Sequence, residues 1–108
     1  MLAYTSLNVS DGPRMPSDYV LSKALAANAA EAFVPLATQL PRVVVFASPS
    51  GFYANYTTTA TVPGDVTDGS ASEYIPAGEH ERFLPSTATS ISVISVGEQV
   101  VTASFYRL

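Results

Sequence analysis

Apolar and polar positions alternate most clearly from residue 42 onward, with the period of two that belongs to β-strands. Residues 42–47 (RVVVFA) are a β-branched run suited to a strand buried on both faces. Ser48, Pro49, Ser50 and Gly51 then make a turn short enough to return the chain as a hairpin, so the runs on either side are expected to pair. Residues 52–62 alternate without a break. Phe52, Ala54, Tyr56, Ala60 and Val62 fall on one face, with Thr58 among them, while Tyr53, Asn55, Thr57, Thr59 and Thr61 fall on the other. This spacing predicts one strand with an apolar core face and a neutral polar face.

Residues 63–72 read as a polar loop with a second turn at Asp68, Gly69 and Ser70. Residues 73–76 predict a short edge strand cut by Pro76, and 79–84 a further strand after the Ala77–Gly78 turn. Residues 90–96 form a strand whose alternation slips between Val93 and Ile94, as a bulge would produce. Gly97 and Glu98 read as a two-residue hairpin turn. Residues 99–106 alternate again, with Val101, Ala103 and Phe105 inward.

The first 18 residues carry Gly12, Pro13 and Pro16 and little pattern, so 1–18 reads as an extended arm ahead of a single domain, 19–108. Tyr4, Leu7 and Val9 are apolar enough to need a partner, which points to an arm packing on a neighbouring subunit. Residues 17–32 are ambiguous. Ser17 and Asp18 can cap a helix and the alanines at 24, 26, 27, 29 and 30 favour one, whereas Tyr19, Leu21 and the alternation from Leu25 favour a strand. The alanine content tips the reading to a short helix or turn near 17–27, followed by a strand over 31–34 and a turn bracketed by Pro35 and Pro41. The fold class is therefore all-β: a small, jelly-roll-like β-sandwich of about six to seven strands, with an extended N-terminal arm and at most one short helix. Mixed strand lengths and several prolines suit two small open sheets better than a closed barrel.

Composition sharpens this picture. A chain of 108 residues has room for one core. Charged residues make up 13%, against ~25% in ordinary soluble domains, while 47% are hydrophobic, which argues against disorder. A surface so neutral is one that something can cover. Arg14, Lys23, Arg42, Arg82 and Arg107 are scattered singly in a chain of net charge −4. Counterion release needs clustered cations, so nucleic acid is not an expected partner. The first residues show no basic region followed by an apolar one, so no secretory signal is expected. No apolar run approaches the ~20 residues of a membrane span, so no membrane partner is expected either. The glycosylation patterns at Asn8 and Asn55 read as chance matches.

Candidate chemistry is sparse. There is no Cys and one His, His80, which removes thiolate chemistry and any His-pair metal site. Glu79 and Glu81 flank His80 in a strand and so lie on the opposite face, where they cannot orient the imidazole. No catalytic residues and no cofactor are expected. Asp65, Asp68 and Glu73 offer hard oxygens in a loop and are weak candidates for a cation such as Ca²⁺, although the spacing fits no EF-hand. Turn chemistry accounts for the two aspartates as well. Tyr53, Asn55, Thr57 and Thr59 present a neutral face with one ring, which fits a protein–protein patch where Tyr is enriched.

Several phrases resemble the small all-β virion structural proteins of tailed bacteriophages: residues 30–35 (AEAFVP), 52–57 (FYANYT), 60–70 (ATVPGDVTDGS), 90–95 (SISVIS) and 100–106 (VVTASFY). The resemblance covers about three quarters of the chain. It implies a non-enzymatic particle subunit, a capsid decoration (cement) protein above all, with a head–tail or fibre component as the alternative. It also implies other virion proteins as partners, such as the major capsid protein or head–tail proteins. A small homo-oligomer is expected, located in the virion and in the host cytoplasm before assembly. On this reading Tyr4, Leu7 and Val9 of the arm and Tyr53, Asn55, Thr57 and Thr59 of the domain make the contacts. A fibre-associated module would instead bind a neighbouring virion protein or a host glycan, in a groove beside the 63–73 loop.

Overall fold

Alternating segments become strands where a neighbouring ladder satisfies their backbone groups. The computed structural model describes residues 5–6, 16–17, 19–35, 41–85 and 88–107. The described residues contain nine strands and no helix: β1 (Thr5–Ser6), β2 (Val20–Leu25), β3 (Glu31–Phe33), β4 (Val43–Ser48), β5 (Phe52–Asn55), β6 (Glu73–Ile75), β7 (Gly78–Phe83), β8 (Ile91–Ile94) and β9 (Gln99–Arg107). One sheet runs β1-β9-β4-β7, with β2 also on β9; the other runs β3-β8-β5-β6. The ladder of β1 on β9 is parallel and the other strand ladders are antiparallel.

With β1 set aside, the two strand orders are 2-9-4-7 and 3-8-5-6. From β2 onward the chain changes sheet at every connection except β5 to β6. This is the order of a jelly roll, in which eight strands fold as two facing sheets. The β-sandwich expected from the alternation is therefore present, with nine strands in place of six or seven. The additional strands are β1 and β2.

Several local expectations are corrected. The alanine-containing segment near 17–27 is not helical, because Val20–Leu25 pairs residue for residue with Gln99–Ser104. Six residues of ladder along the open edge of β9 outweigh the few tenths of a kcal/mol per residue that alanine adds to a helix. Ser17 does not cap a helix either: its hydroxyl donates to the Phe105 carbonyl (2.8 Å) and accepts the Tyr19 N–H (3.0 Å), docking the entry to β2. The turns at 48–51 and 97–98 are not hairpins, since β4 and β5, like β8 and β9, lie in different sheets. They are arches between layers, stapled together by Gln99. Its amide donates to Gly51 O (3.0 Å) and Ser95 Oγ (2.8 Å) and accepts from Ser50 N (3.1 Å).

The strand expected over 52–62 ends at Asn55, after which the chain bends away. No bulge lies between Val93 and Ile94. The ladders of β8 with β3 and with β5 keep constant register, and Ile94 points to the outer face opposite Tyr53. It is buried there all the same.

The core fills the space between the sheets. Val44, Phe46, Val101, Ala103 and Phe105 come from one layer, and Phe33, Phe52, Ala54, Ile75, Ile91 and Val93 from the other. Phe46 and Phe52 meet edge-to-face across the layers, with centroids 5.2 Å apart. A second buried group, Val43, Val45 and Tyr106, stands apart from this core. The alternation along β4 and β9 places it on the outer side of the five-stranded sheet.

Candidate functional site

Three places gather side chains that the fold does not consume in its core. The first is the outer face of the four-stranded sheet. Register sets Ala32, Ser92 and Asn55 in one row across β3, β8 and β5, and Ile94, Tyr53 and Tyr74 in the next row across β8, β5 and β6. Tyr53 and Tyr74 are cross-strand neighbours, with centroids 5.3 Å apart and ring planes tilted by 55°. Tyr74 is 53% exposed. Beside them lies a cleft of about 460 Å³, floored by the row containing Ser92 and walled by residues 56–59 and 89–90.

Asn55 builds one wall of that cleft. Its side chain is buried, not solvent-facing. The amide oxygen accepts from Thr57 N (3.1 Å), Thr58 N (3.0 Å) and Thr57 Oγ1 (3.2 Å), and the amide nitrogen donates to Ser70 O (3.2 Å) and Ser72 Oγ (3.4 Å). An Asx turn thus forces the chain out of the ladder at this residue. The departing segment is pinned further on, where Ala60 N donates to Ser92 Oγ (2.8 Å) and Thr61 N to Ser72 Oγ (3.1 Å). With its amide fully engaged, Asn55 cannot serve as a glycosylation acceptor in the folded chain.

The second place is a small polar cluster. The Tyr56 hydroxyl donates to Glu73 Oε1 (3.2 Å), and Arg82 Nε donates to Glu73 Oε2 (2.9 Å). Burial, and then the charge of Glu73, push the Tyr56 phenol well above its ordinary value of 10.0. Both carboxylate oxygens of Glu73 are therefore occupied. Asp68 Oδ1 holds Ser70 N (3.0 Å) and Ser70 Oγ (2.6 Å), contacts that lower its pKa. Asp65, Asp68 and Glu73 do not converge, and no group of three or more His, Asp or Glu side chains among the described residues could hold a metal ion. His80 Nε2 lies 3.1 Å from Ala77 O. In register His80 stands opposite Phe46 on the inner side, with Glu79 and Glu81 on the outer side. The groove beside the 63–73 loop exists as a cleft of about 180 Å³ bordered by Gly69, Ser70 and Glu73.

The third place is the outer face of the five-stranded sheet. Val20 and Val100 are 49% and 52% exposed, Ser22 and Ala24 are exposed, and Thr102 and Ser104 are half-buried. Phe83, 75% exposed, stands opposite Val43 at the β7 edge. Among the described residues, formal charge on this face is confined to Glu79 and Glu81 along that edge, and the middle of the face, Val43, Val45 and Tyr106, is buried.

Of the residues expected to make contacts, Asn55, Thr57 and Thr59 line the cleft and Tyr53 stands one row away, whereas Tyr4, Leu7 and Val9 lie outside the described residues. The sequence reading missed Tyr74. Its place beside Tyr53 depends on β6 joining β5, and the edge-strand signal at Pro76 was the available clue. No protein family, curated protein or solved structure matches the chain.

Proposed function

We propose that the chain is a non-enzymatic structural subunit of a bacteriophage particle, a capsid decoration (cement) protein that stabilises the shell through subunit–subunit contacts. One observation carries the reading: the outer face along β2 and the adjoining part of β9 is an uncharged strip with Val20 and Val100 exposed, and Phe83 is exposed at the far edge beyond the buried Val43, Val45 and Tyr106. Such a strip can be covered with little desolvation cost, because few charges would be buried. The jelly-roll order agrees with it, since that architecture recurs in viral capsid domains, as it does in lectins and cupins. A subunit that binds the assembled shell and not its separate parts stabilises the shell by mass action.

The test adds purified protein to empty capsids lacking it and images the particles. Regular occupancy at lattice positions is the expected result. Density confined to a unique vertex or to the tail would overturn the decoration role in favour of a head–tail or fibre component.

A further inference from the structure

We propose that the outer face of the four-stranded sheet binds a neutral oligosaccharide, with Tyr74 stacking on one sugar ring, the tilted Tyr53 ring flanking it, and the adjoining cleft receiving the next ring. The site does not depend on where in a particle the chain sits. Its first element is the aromatic pair. Tyr74 lies over Gly51, where a Cβ would collide with the phenol. Glycine there leaves room for the ring, which is 53% exposed. A pyranose has an apolar face of C–H groups that suits the electron-rich face of an aromatic ring.

The second element is the cleft. Its lining carries no formal charge and is dominated by hydroxyls. Among the described residues, the side-chain hydroxyls of Thr58, Thr59, Thr89 and Ser90 have no intramolecular hydrogen bond, so they are available to a ligand. A hydroxyl both donates and accepts, as does each hydroxyl of a sugar, and pairing them requires no ion to lose water. Spacing and rigidity fit as well. Tyr53 and Asn55 are two residues apart on one strand, about 7 Å, a distance that two linked sugar rings span. The bonds of Asn55 and Thr61 to Ser72, and of Ala60 to Ser92, hold the cleft wall in place before a ligand arrives. No cation lines the site to receive a sialylated or sulfated glycan. A proline-rich peptide could use the tyrosines, but it has few donors to offer the hydroxyl-lined cleft.

The test titrates the isotope-labelled full chain with neutral cello-, chito- and manno-oligosaccharides up to tens of millimolar. Sialyllactose, sulfated heparin oligosaccharides and a polyproline peptide run in parallel. At least one neutral oligosaccharide is expected to shift the amide resonances of Tyr53, Tyr74, Thr58 and Ser90 saturably. Tyr74→Ala should weaken that binding about tenfold, while Tyr74→Phe retains it. A Thr58→Val/Thr59→Val variant, which leaves the sheet untouched, should weaken it too. The proposal is overturned if no neutral sugar shifts these resonances, if the shifts lie elsewhere, if Tyr74→Ala or the threonine variant binds as the parent does, or if only the peptide or the charged sugars bind.

Discussion

Asn55 shows how far one side chain can redirect a strand. Period-two alternation continues through residue 62 in the sequence, and alternation by itself contains no signal for where a ladder stops. What stops it is the Asn55 amide, which captures the N–H groups of Thr57 and Thr58. Removing it leaves buried partners unpaired, so Asn55→Ala should cost about 1–3 kcal/mol in urea unfolding. Asn55→Asp should cost at least as much, because a carboxylate cannot donate to Ser70 O and Ser72 Oγ. A midpoint unchanged in both variants would contradict the staple. Tyr56, next along, supplies a pH dependence. Its folded phenol holds its proton above the ordinary value of 10.0. Below that value both states are protonated and contribute no slope. Above it the unfolded chain ionises first, so stability falls as pH rises. Urea midpoints followed from about pH 9 to pH 11 should therefore drop less for Tyr56→Phe than for the parent. Equal drops would remove Tyr56 as the source.

At the scale of elements, the open edges explain where the charges went. The edge strands β2 and β3 face each other across one side of the sandwich, and β6 and β7 across the other. Lys23 and Glu31 stand on the inner side of their strands and pair across the first gap at 3.8 Å; Arg82 and Glu73 do the same across the second at 2.9 Å. Lys23 and Glu31 are both substantially exposed, so that pair adds little stability. Lys23→Ala should change the unfolding free energy by less than about 1 kcal/mol. The larger effect lies in partner choice. An inward charge on an edge strand discourages other chains from adding to it. Lys23→Val should therefore raise self-association in sedimentation or light scattering while leaving the monomer's stability near that of the parent. A strictly monomeric variant would show that the β2 edge is guarded by other means. The strands themselves were legible, since seven of the nine follow from alternation and turn residues. Their partners were not. Ser48 to Gly51 makes an equally good turn for a hairpin and for an arch between sheets, and Gln99, 48 residues on, decides between them.

For the whole molecule, low charge turns out to mean segregated charge. The central strands β4, β5 and β8 carry no formal charge, and β9 carries only Arg107 at its end. Charge within the described strands is otherwise confined to edges, which leaves the outer face of the four-stranded sheet and the exposed β2–β9 part of the other sheet's outer face nearly free of it. Composition announced a surface suited to being covered. It could not say that there are two such faces of different kinds, because that difference arises from register. One is aliphatic, with Val20 and Val100 exposed on the five-stranded sheet; the other is aromatic and hydroxyl-lined, on the four-stranded sheet. The two faces point away from each other, so shell contact and ligand binding need not compete. Val20→Lys/Val100→Lys places two cations on the aliphatic face at exposed positions, where substitutions shift stability by no more than about 0.5 kcal/mol each. Thermal unfolding should therefore stay close to that of the parent. Burying those ammonium groups against a shell, however, would cost far more than the lost valine contacts. The double variant should fail to decorate capsids that the parent occupies, while Tyr74→Ala decorates them normally. Full occupancy by the lysine variant would place the shell contact on another surface of the sandwich.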